Sequence, residues 1–368
     1  MTLRVGVAQG ASILADGANS HNRFHPDLPP VAEMSPGEEV VLELRDGMDG
    51  GLGPGVTAEA LRTLELDSNH PLTGPIRVRG AEPGDVLEVE TLEIEPAGYG
   101  ATAVIPGFGL LGDRFDEPFL VRWEIAGGVA RSADLPGVAI AGAPFIGAIG
   151  VAPSRALLER ATAREAAVAA AGGLALPPQA KDAVPASEPF ASHGLRTIPP
   201  REHGGNLDIP QLTVGSRLLL GVQVEGALLS VGDAHFAQGE GESCGTAIEI
   251  EAVVRLRVSL RKAAEAAWVP RFAAYEFRAP AGPPAGRACI ATTGIGLDDD
   301  GANGSLDVTL AARRAMEELV DLLCATRGLT PAQACVLVSV AADLRISEAV
   351  NVPNALVSAI LPLDVFES

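Results

Sequence analysis

Three times along the chain a glycine turn opens directly onto a run of alternating apolar residues. Ser35-Pro36-Gly37-Glu38 leads into Glu39-Val40-Val41-Leu42-Glu43-Leu44, and Glu82-Pro83-Gly84-Asp85 leads into Val86-Leu87-Glu88-Val89-Glu90-Thr91. A weaker copy, Thr213-Val214-Gly215-Ser216, leads into Arg217-Leu218-Leu219-Leu220. Proline at the second turn position pre-sets φ, and glycine at the third supplies the positive φ of a type II turn. The alternation that follows sends every second side chain to one face, which is the pattern of a half-buried strand. The recurrence fits either an internal duplication or a turn that many β proteins share. With 42 Gly, 28 Pro and only 4% aromatics, the composition also favours strands joined by tight turns over long helices.

Further strands are predicted over 119–126, turning at Gly127-Gly128, and over 247–260, 287–293 and 354–361. Helices are fewer. Ser154 caps one predicted over 155–171, and Ser305 or Asn303 starts another over 306–327 that stops at Gly328. A third opens at Thr330-Pro331-Ala332-Gln333, where Thr is the N-cap, Pro is N1 and Gln completes a capping box. The proline-rich segment 172–200 lacks periodicity and reads as a long surface excursion placed to cover a pocket. No linker or low-complexity tail interrupts the rest. Residues 1–368 are therefore expected to form a single unit whose N- and C-terminal parts share one core.

Lys and Arg total 27 against 47 Asp and Glu, a net charge of −20, which excludes nucleic acid as the main partner because nothing would neutralise its phosphates. The N-terminus lacks a signal-peptide pattern. The longest apolar run, 138–153, is broken by Gly142, Pro144, Gly147 and Gly150 and falls short of the roughly 20 residues a membrane span needs. A soluble protein is expected, with no membrane partner. Four cysteines without CxxC spacing are too few for a disulfide framework, which points to a reducing cytoplasm.

Ionisable residues gather beside glycine in two stretches, Glu202-His203-Gly204-Gly205-Asn206-Leu207-Asp208 and Gly232-Asp233-Ala234-His235-Phe236-Ala237-Gln238-Gly239-Glu240-Gly241-Glu242-Ser243-Cys244-Gly245. In extended geometry Asp233 and His235 project to the same face, and Asp-x-His places a carboxylate oxygen and an imidazole nitrogen on one cation. Glu240 and Glu242 repeat the spacing, and the flanking glycines let backbone approach a ligand. A core strand would not bury so many charges without a partner. The stretch reads as an active site, with an acidic solvent loop as the alternative and His235 as a hydrogen-bonded strand residue in that case.

The stretch 203–249 resembles the signature region of the acetamidase/formamidase family. So do HNRFHPDLPP (21–30), the segment 68–94, PGFGLL (106–111), PFIGAIGVAPS (144–154), ATTGIG (291–296) and the segment 337–362. The resemblance spans nearly the whole chain in order. It implies a β-rich mixed α/β (α+β) fold, a β-sandwich or barrel body with a few peripheral helices, and a homo-oligomeric assembly. It also implies hydrolysis of a short aliphatic amide to a carboxylic acid and ammonia, with cyclic or larger amides taken by some relatives, and a divalent metal. Two positions depart from the family pattern: Glu240 stands where an aspartate is usual, reaching one methylene further, and Gly221 where a proline is common.

Carried over residue by residue, the resemblance implies a cluster of Asn206, Asp208, Asp233, His235, Gln238 and Glu242. His235 with Asp208 or Asp233 would hold the metal, zinc in the first instance and calcium as the alternative. Glu242 would move the proton. Asn206, Gln238, the backbone at Gly204 and Gly205, and His70 of Ser68-Asn69-His70-Pro71 would bind substrate. Asp46 also matches a family aspartate. His21 and His25, on either side of Arg23, hold the N-terminal segment as readily as they serve a site, and His193 is expected to face solvent. Rival readings are a metal-free amidase using Cys244 as nucleophile, disfavoured by the acidic neighbours Glu240 and Glu242, a small-molecule binding protein built on an enzyme fold, and a structural scaffold.

Overall fold

The three glycine turns form where the sequence sets them. In the computed structural model Gly37, Gly84 and Gly215 have φ of 86°, 95° and 89°, and strands Glu39–Leu44, Val86–Val104 and Arg217–Gly221 follow. The structure describes residues 2–109, 116–134, 139–238, 242, 245–278, 288–329, 343–363 and 366. The three strands lie close together in one sheet. Strand Glu249–Arg261 runs antiparallel to both Glu39–Leu44 and Val86–Val104, and Val86–Val104 pairs on with Arg217–Gly221. Leu42, Leu44, Leu87, Val89, Val254 and Leu256 from these strands are buried in the main core, each contributing about 1.5–3 kcal/mol by leaving water.

Among the described residues eighteen strands join one sheet, and a further pair stands apart. Pairing is antiparallel except where Leu3–Val5 meets Glu39–Leu44 and Ala32–Met34 meets Leu72–Val78. Strand Glu249–Arg261 is a branch point, because its end nearest the turn also pairs with Leu229–His235. The expected β-rich α+β body with few helices is thus the observed one, and among the described residues its ladders branch rather than close into a ring.

Helix Arg155–Ala170 begins as predicted, with Ser154 Oγ accepting the Leu157 N–H at 3.2 Å. Helix Val308–Arg327 ends at Gly328 in the left-handed region, φ 67°. Its N-cap is Asp307, whose carboxylate accepts the Leu310 N–H at 2.9 Å, and neither Ser305 nor Asn303. Asn303 is drawn away into a bridge with Leu297, and the Gly304 N–H donates to the Gly296 carbonyl. The helix predicted from Thr330 lies outside the described residues.

The segment 172–200 keeps largely to the surface as far as His193. From Leu195 it turns inward, pairs as Leu195–Arg196 with Arg23–Phe24, and is buried through Pro200. The fully buried Arg23 guanidinium pins the outer part by donating to the carbonyls of Gln179 and Lys181. Among the described residues no helix is long and apolar enough to cross a membrane.

Candidate active site

Strand Leu229–His235, buried along its whole length, has Phe145 opposite His235 on one side and Glu249 opposite His235 on the other. This double pairing assembles the site. Asp233 and His235 converge as Asp-x-His predicts, and His235 Nε2 stands 3.3 Å from Asp233 Oδ1 and 3.3 Å from Glu249 Oε2. The backbone there is not regularly extended, since Asp233, Asp208 and Glu242 all have positive φ, of 56°, 46° and 44°. Aspartate tolerates that region better than most residues, and such strain collects at functional sites.

Behind the imidazole, Gln238 Oε1 lies 2.9 Å from His235 Nδ1, and Gln238 Nε2 donates to the Asp208 carbonyl at 3.0 Å. An amide oxygen there assigns the Nδ1 proton and turns Nε2 toward the carboxylates. Asp208 Oδ2 accepts from Asn206 Nδ2 at 2.9 Å and from Asn351 Nδ2 at 2.6 Å. Its other oxygen, Oδ1, has no donor, and neither have Asp233 Oδ1 and Glu249 Oε2, all of them buried. Candidate cation-binding sets are Asp208, His235 and Glu242, and Asp233, His235 and Glu249, with donor atoms within 4.8 Å of one another in each.

Burial pushes the Asp208 carboxyl up, reinforced by the charge of Asp233. Burial and then Asp208 push Glu242 well above the usual carboxylate range. Burial alone would raise Asp233 too, but the His70 and His235 charges outweigh it and bring it down. Burial would lower His235, yet the Glu249 and Asp233 carboxylates hold it well above an ordinary histidine. The cluster therefore favours a positive charge at its centre, whether a proton on His235 or a cation.

The cavity here leaves about 20 Å³ for the centres of water-sized atoms, room for one small polar molecule. Met48, Leu66, Phe108 and Ile198 form its apolar wall. His70 also lines it, its Nδ1 donating to the Gly47 carbonyl at 2.8 Å. A larger groove of about 770 Å³ between helix Arg155–Ala170 and residues 297–302 contains none of the cluster. Convergent ionisable groups with displaced pKa values mark a site better than size does.

The structure thus brings together Asn206, Asp208, Asp233, His235, Glu242 and His70. Gln238 and Gly205 do not line this cavity. Both ends of the Gln238 amide are engaged within the protein. Gly205 sits in the ladder opposite Ile149, and the Gly204 N–H donates to the Arg201 carbonyl. Asp46 faces a neighbouring cavity, its carboxylate accepting from the Met48 and Gly50 N–H groups while burial raises it to about 7. Glu240, Ser243 and Cys244 lie outside the described residues. His21 does hold the N-terminal segment, bridging the Arg23 carbonyl and Ser230 Oγ, and burial takes it down to about 4. His193 faces solvent.

Sequence reasoning missed Glu249 and Asn351. The first closes the Cys-Gly-Thr-Ala-Ile-Glu stretch and lies inside the strand predicted over 247–260, yet only strand register puts it opposite His235. The second lies in Glu348-Ala-Val-Asn351, polar residues in an apolar strand context, which was the available signal.

The acetamidase/formamidase family model matches residues 7–368. A formamidase of Methylophilus methylotrophus is 35% identical over 369 residues, covering 94% of this chain and 89% of its own. An acetamidase of Mycolicibacterium smegmatis is 40% identical over 268 residues, 66% of each chain. The solved structure of a gamma lactamase from Delftia acidovorans superposes with a TM-score of 0.70 at 35% identity, covering 96% of this chain and 91% of that one. The chain accordingly belongs to the acetamidase/formamidase family and is an amidase acting on small linear amides.

Proposed function

We propose that the amide is hydrolysed in the cavity beside His235, with a divalent cation held by His235 Nε2, Asp208 Oδ1 and Asp233 Oδ1 and supported by Glu249. The observation that carries this reading is that two buried carboxylate oxygens, Asp233 Oδ1 and Glu249 Oε2, each stand 3.3 Å from His235 Nε2, while Asp208, with its own unpartnered Oδ1, and Glu242 form a second donor set with the same histidine within 4.8 Å. Unpaired buried charge of this kind is costly, and a cation removes the penalty. An imidazole among the donors suits zinc better than calcium, which prefers six to eight oxygens. When bound, such an ion polarises a carbonyl and lowers the pKa of water to about 7.

The protein's own groups do the rest. Glu242, held well above the usual carboxylate range by burial and by Asp208, is the group that takes a proton from water and returns it to the departing nitrogen. Asn206 Oδ1, buried and without a donor, accepts an N–H of the substrate amide, and the His70 ring lines the same cavity. Gln238 acts from behind, fixing the His235 ring. Met48, Leu66, Phe108 and Ile198 close over a short acyl group and exclude water. The relative called a gamma lactamase extends the candidates to cyclic amides. The enzyme is taken to work in the cytoplasm as a homo-oligomer, whose subunit number light scattering on the purified protein measures.

Ammonia release from formamide, acetamide and longer amides, and ring opening of lactams, is measured for wild type, His235→Ala and Glu242→Gln together with bound metal. His235→Ala is expected to lose both metal and turnover. Glu242→Gln is expected to lose about 10²–10⁴-fold in rate. Full activity in either variant sinks the role given to that residue.

A further inference from the structure

Asp208 lies two residues past strand Gly204–Asn206, and the local backbone by itself does not decide which carboxylate oxygen faces the cavity. The other end of the chain decides it. Asn351 Nδ2 donates to Asp208 Oδ2 at 2.6 Å, beside Asn206 Nδ2 at 2.9 Å. With both donors on Oδ2, the oxygen left without one is Oδ1.

Asn351 is itself fixed. It lies in the connection between strands Asp343–Glu348 and Leu356–Pro362, which pair antiparallel. Glu348 Oε2 accepts the N–H groups of Val350 at 2.9 Å and of Asn351 at 2.7 Å. Asn354 Nδ2 donates to the Pro200 carbonyl at 2.9 Å, tying the same loop to the segment that leads into Gly204 and Asp208. Glu348, Asn351 and Asn354 are 0%, 5% and 0% exposed. Hairpin loops ordinarily leave their polar groups to water. This one buries three, and spends them on aiming one another and Asp208.

We propose that Asn351 is a positioning residue of the active site, turning Asp208 Oδ1 toward the cation, with Glu348 as the brace that sets Asn351. This rests on the reading that Asp208 holds the cation. The role needs an N–H donor at position 351 and a two-fold acceptor at position 348. A glutamine at 348 still offers that acceptor, whereas alanine or leucine at 351 offers no donor.

The test compares wild type, Asn351→Ala, Asn351→Leu and Glu348→Gln, each stripped of metal and checked for folding by circular dichroism and Tm. Leucine keeps the branched heavy-atom skeleton of asparagine, so that loss of the donor is separated from a cavity. Zinc affinity is read by competition with a chromophoric chelator, and ligand geometry by the visible spectrum of the cobalt(II) protein. Both Asn351 variants are expected to bind zinc about 10–100-fold more weakly, the range seen when a hydrogen-bond partner of a metal ligand is removed, and to change the cobalt spectrum. Glu348→Gln is expected to retain wild-type affinity and spectrum. Wild-type zinc affinity and cobalt spectrum in a folded Asn351→Leu protein overturn the proposal and leave the cation reading standing. A wild type that binds neither zinc nor cobalt overturns both.

Discussion

Gly147 and Gly47 carry no functional group, yet the carboxylates cannot reach their places without them. A Cβ at Gly147 would stand 2.6 Å from Asp208 Oδ1 and 2.8 Å from Asp233 Oδ2, and one at Gly47 would fall on Asp233 Oδ1. Those contacts are closer than a carbon and an oxygen tolerate, so Gly147→Ala has to push at least one carboxylate out of line. A displacement near 1 Å at a reacting centre costs about 10²-fold, and a drop of that order in kcat/KM on acetamide is expected, with the circular dichroism spectrum unchanged. Unaltered kcat/KM would show that the close approach is dispensable. The sequence displays Gly147 inside Pro-Phe-Ile-Gly-Ala-Ile-Gly, but gives no reason for it, because the atoms it makes room for lie 61 and 86 positions further on.

At the scale of elements, helix Val308–Arg327 shows how a structural carboxylate records pH. Glu318 points from this helix to accept the Arg271 N–H at 2.7 Å. Burial pushes its carboxyl from the ordinary 4.5 up to about 7. The folded state therefore holds this proton more tightly than the unfolded chain. Its contribution to stability is complete below about 4.5 and is lost as pH rises through about 7. Glu318→Gln is expected to flatten the fall of Tm between pH 5 and pH 8 relative to wild type, and parallel Tm curves would contradict this. The existence of the helix and its end at Gly328 were legible, since both follow from local propensity and the left-handed conformation glycine permits. Its first residue was not, because tertiary pairing of Asn303 and Gly304 passed the cap to Asp307.

Across the whole molecule, the site depends on segments far apart in the chain being locked together. Arg201 and Glu165 form a bidentate pair at 2.6 and 2.8 Å with both side chains 0% exposed, and Arg164 with Glu202 forms a second at 2.6 and 2.7 Å. Together they fasten helix Arg155–Ala170 to the strand that delivers Asn206. Breaking a buried pair by removing one partner strands the other charge, so Arg201→Ala is expected to lower unfolding stability by about 3–5 kcal/mol. Urea denaturation of both proteins measures the difference. A change under about 1 kcal/mol, the value typical of surface pairs, would show that the pair does not brace the fold.

Taken by itself, the sequence determined the β-rich body, the three glycine turns, two helices with the Ser154 start of one and the Gly328 stop of the other, the Asp233-x-His235 pair and the family resemblance. Each of these is written in neighbouring residues, whose backbone preferences and side-chain alternation act over a few positions. That Glu249 faces His235, that Asn351 reaches Asp208 across 143 positions, and that the Gln238 amide is spent inside the protein came from packing alone. Packing also decided which carboxylate oxygens stay without donors. Those outcomes depend on the register between strands and on the burial that follows from it, and register is fixed by the packing of whole faces rather than by any local run of residues.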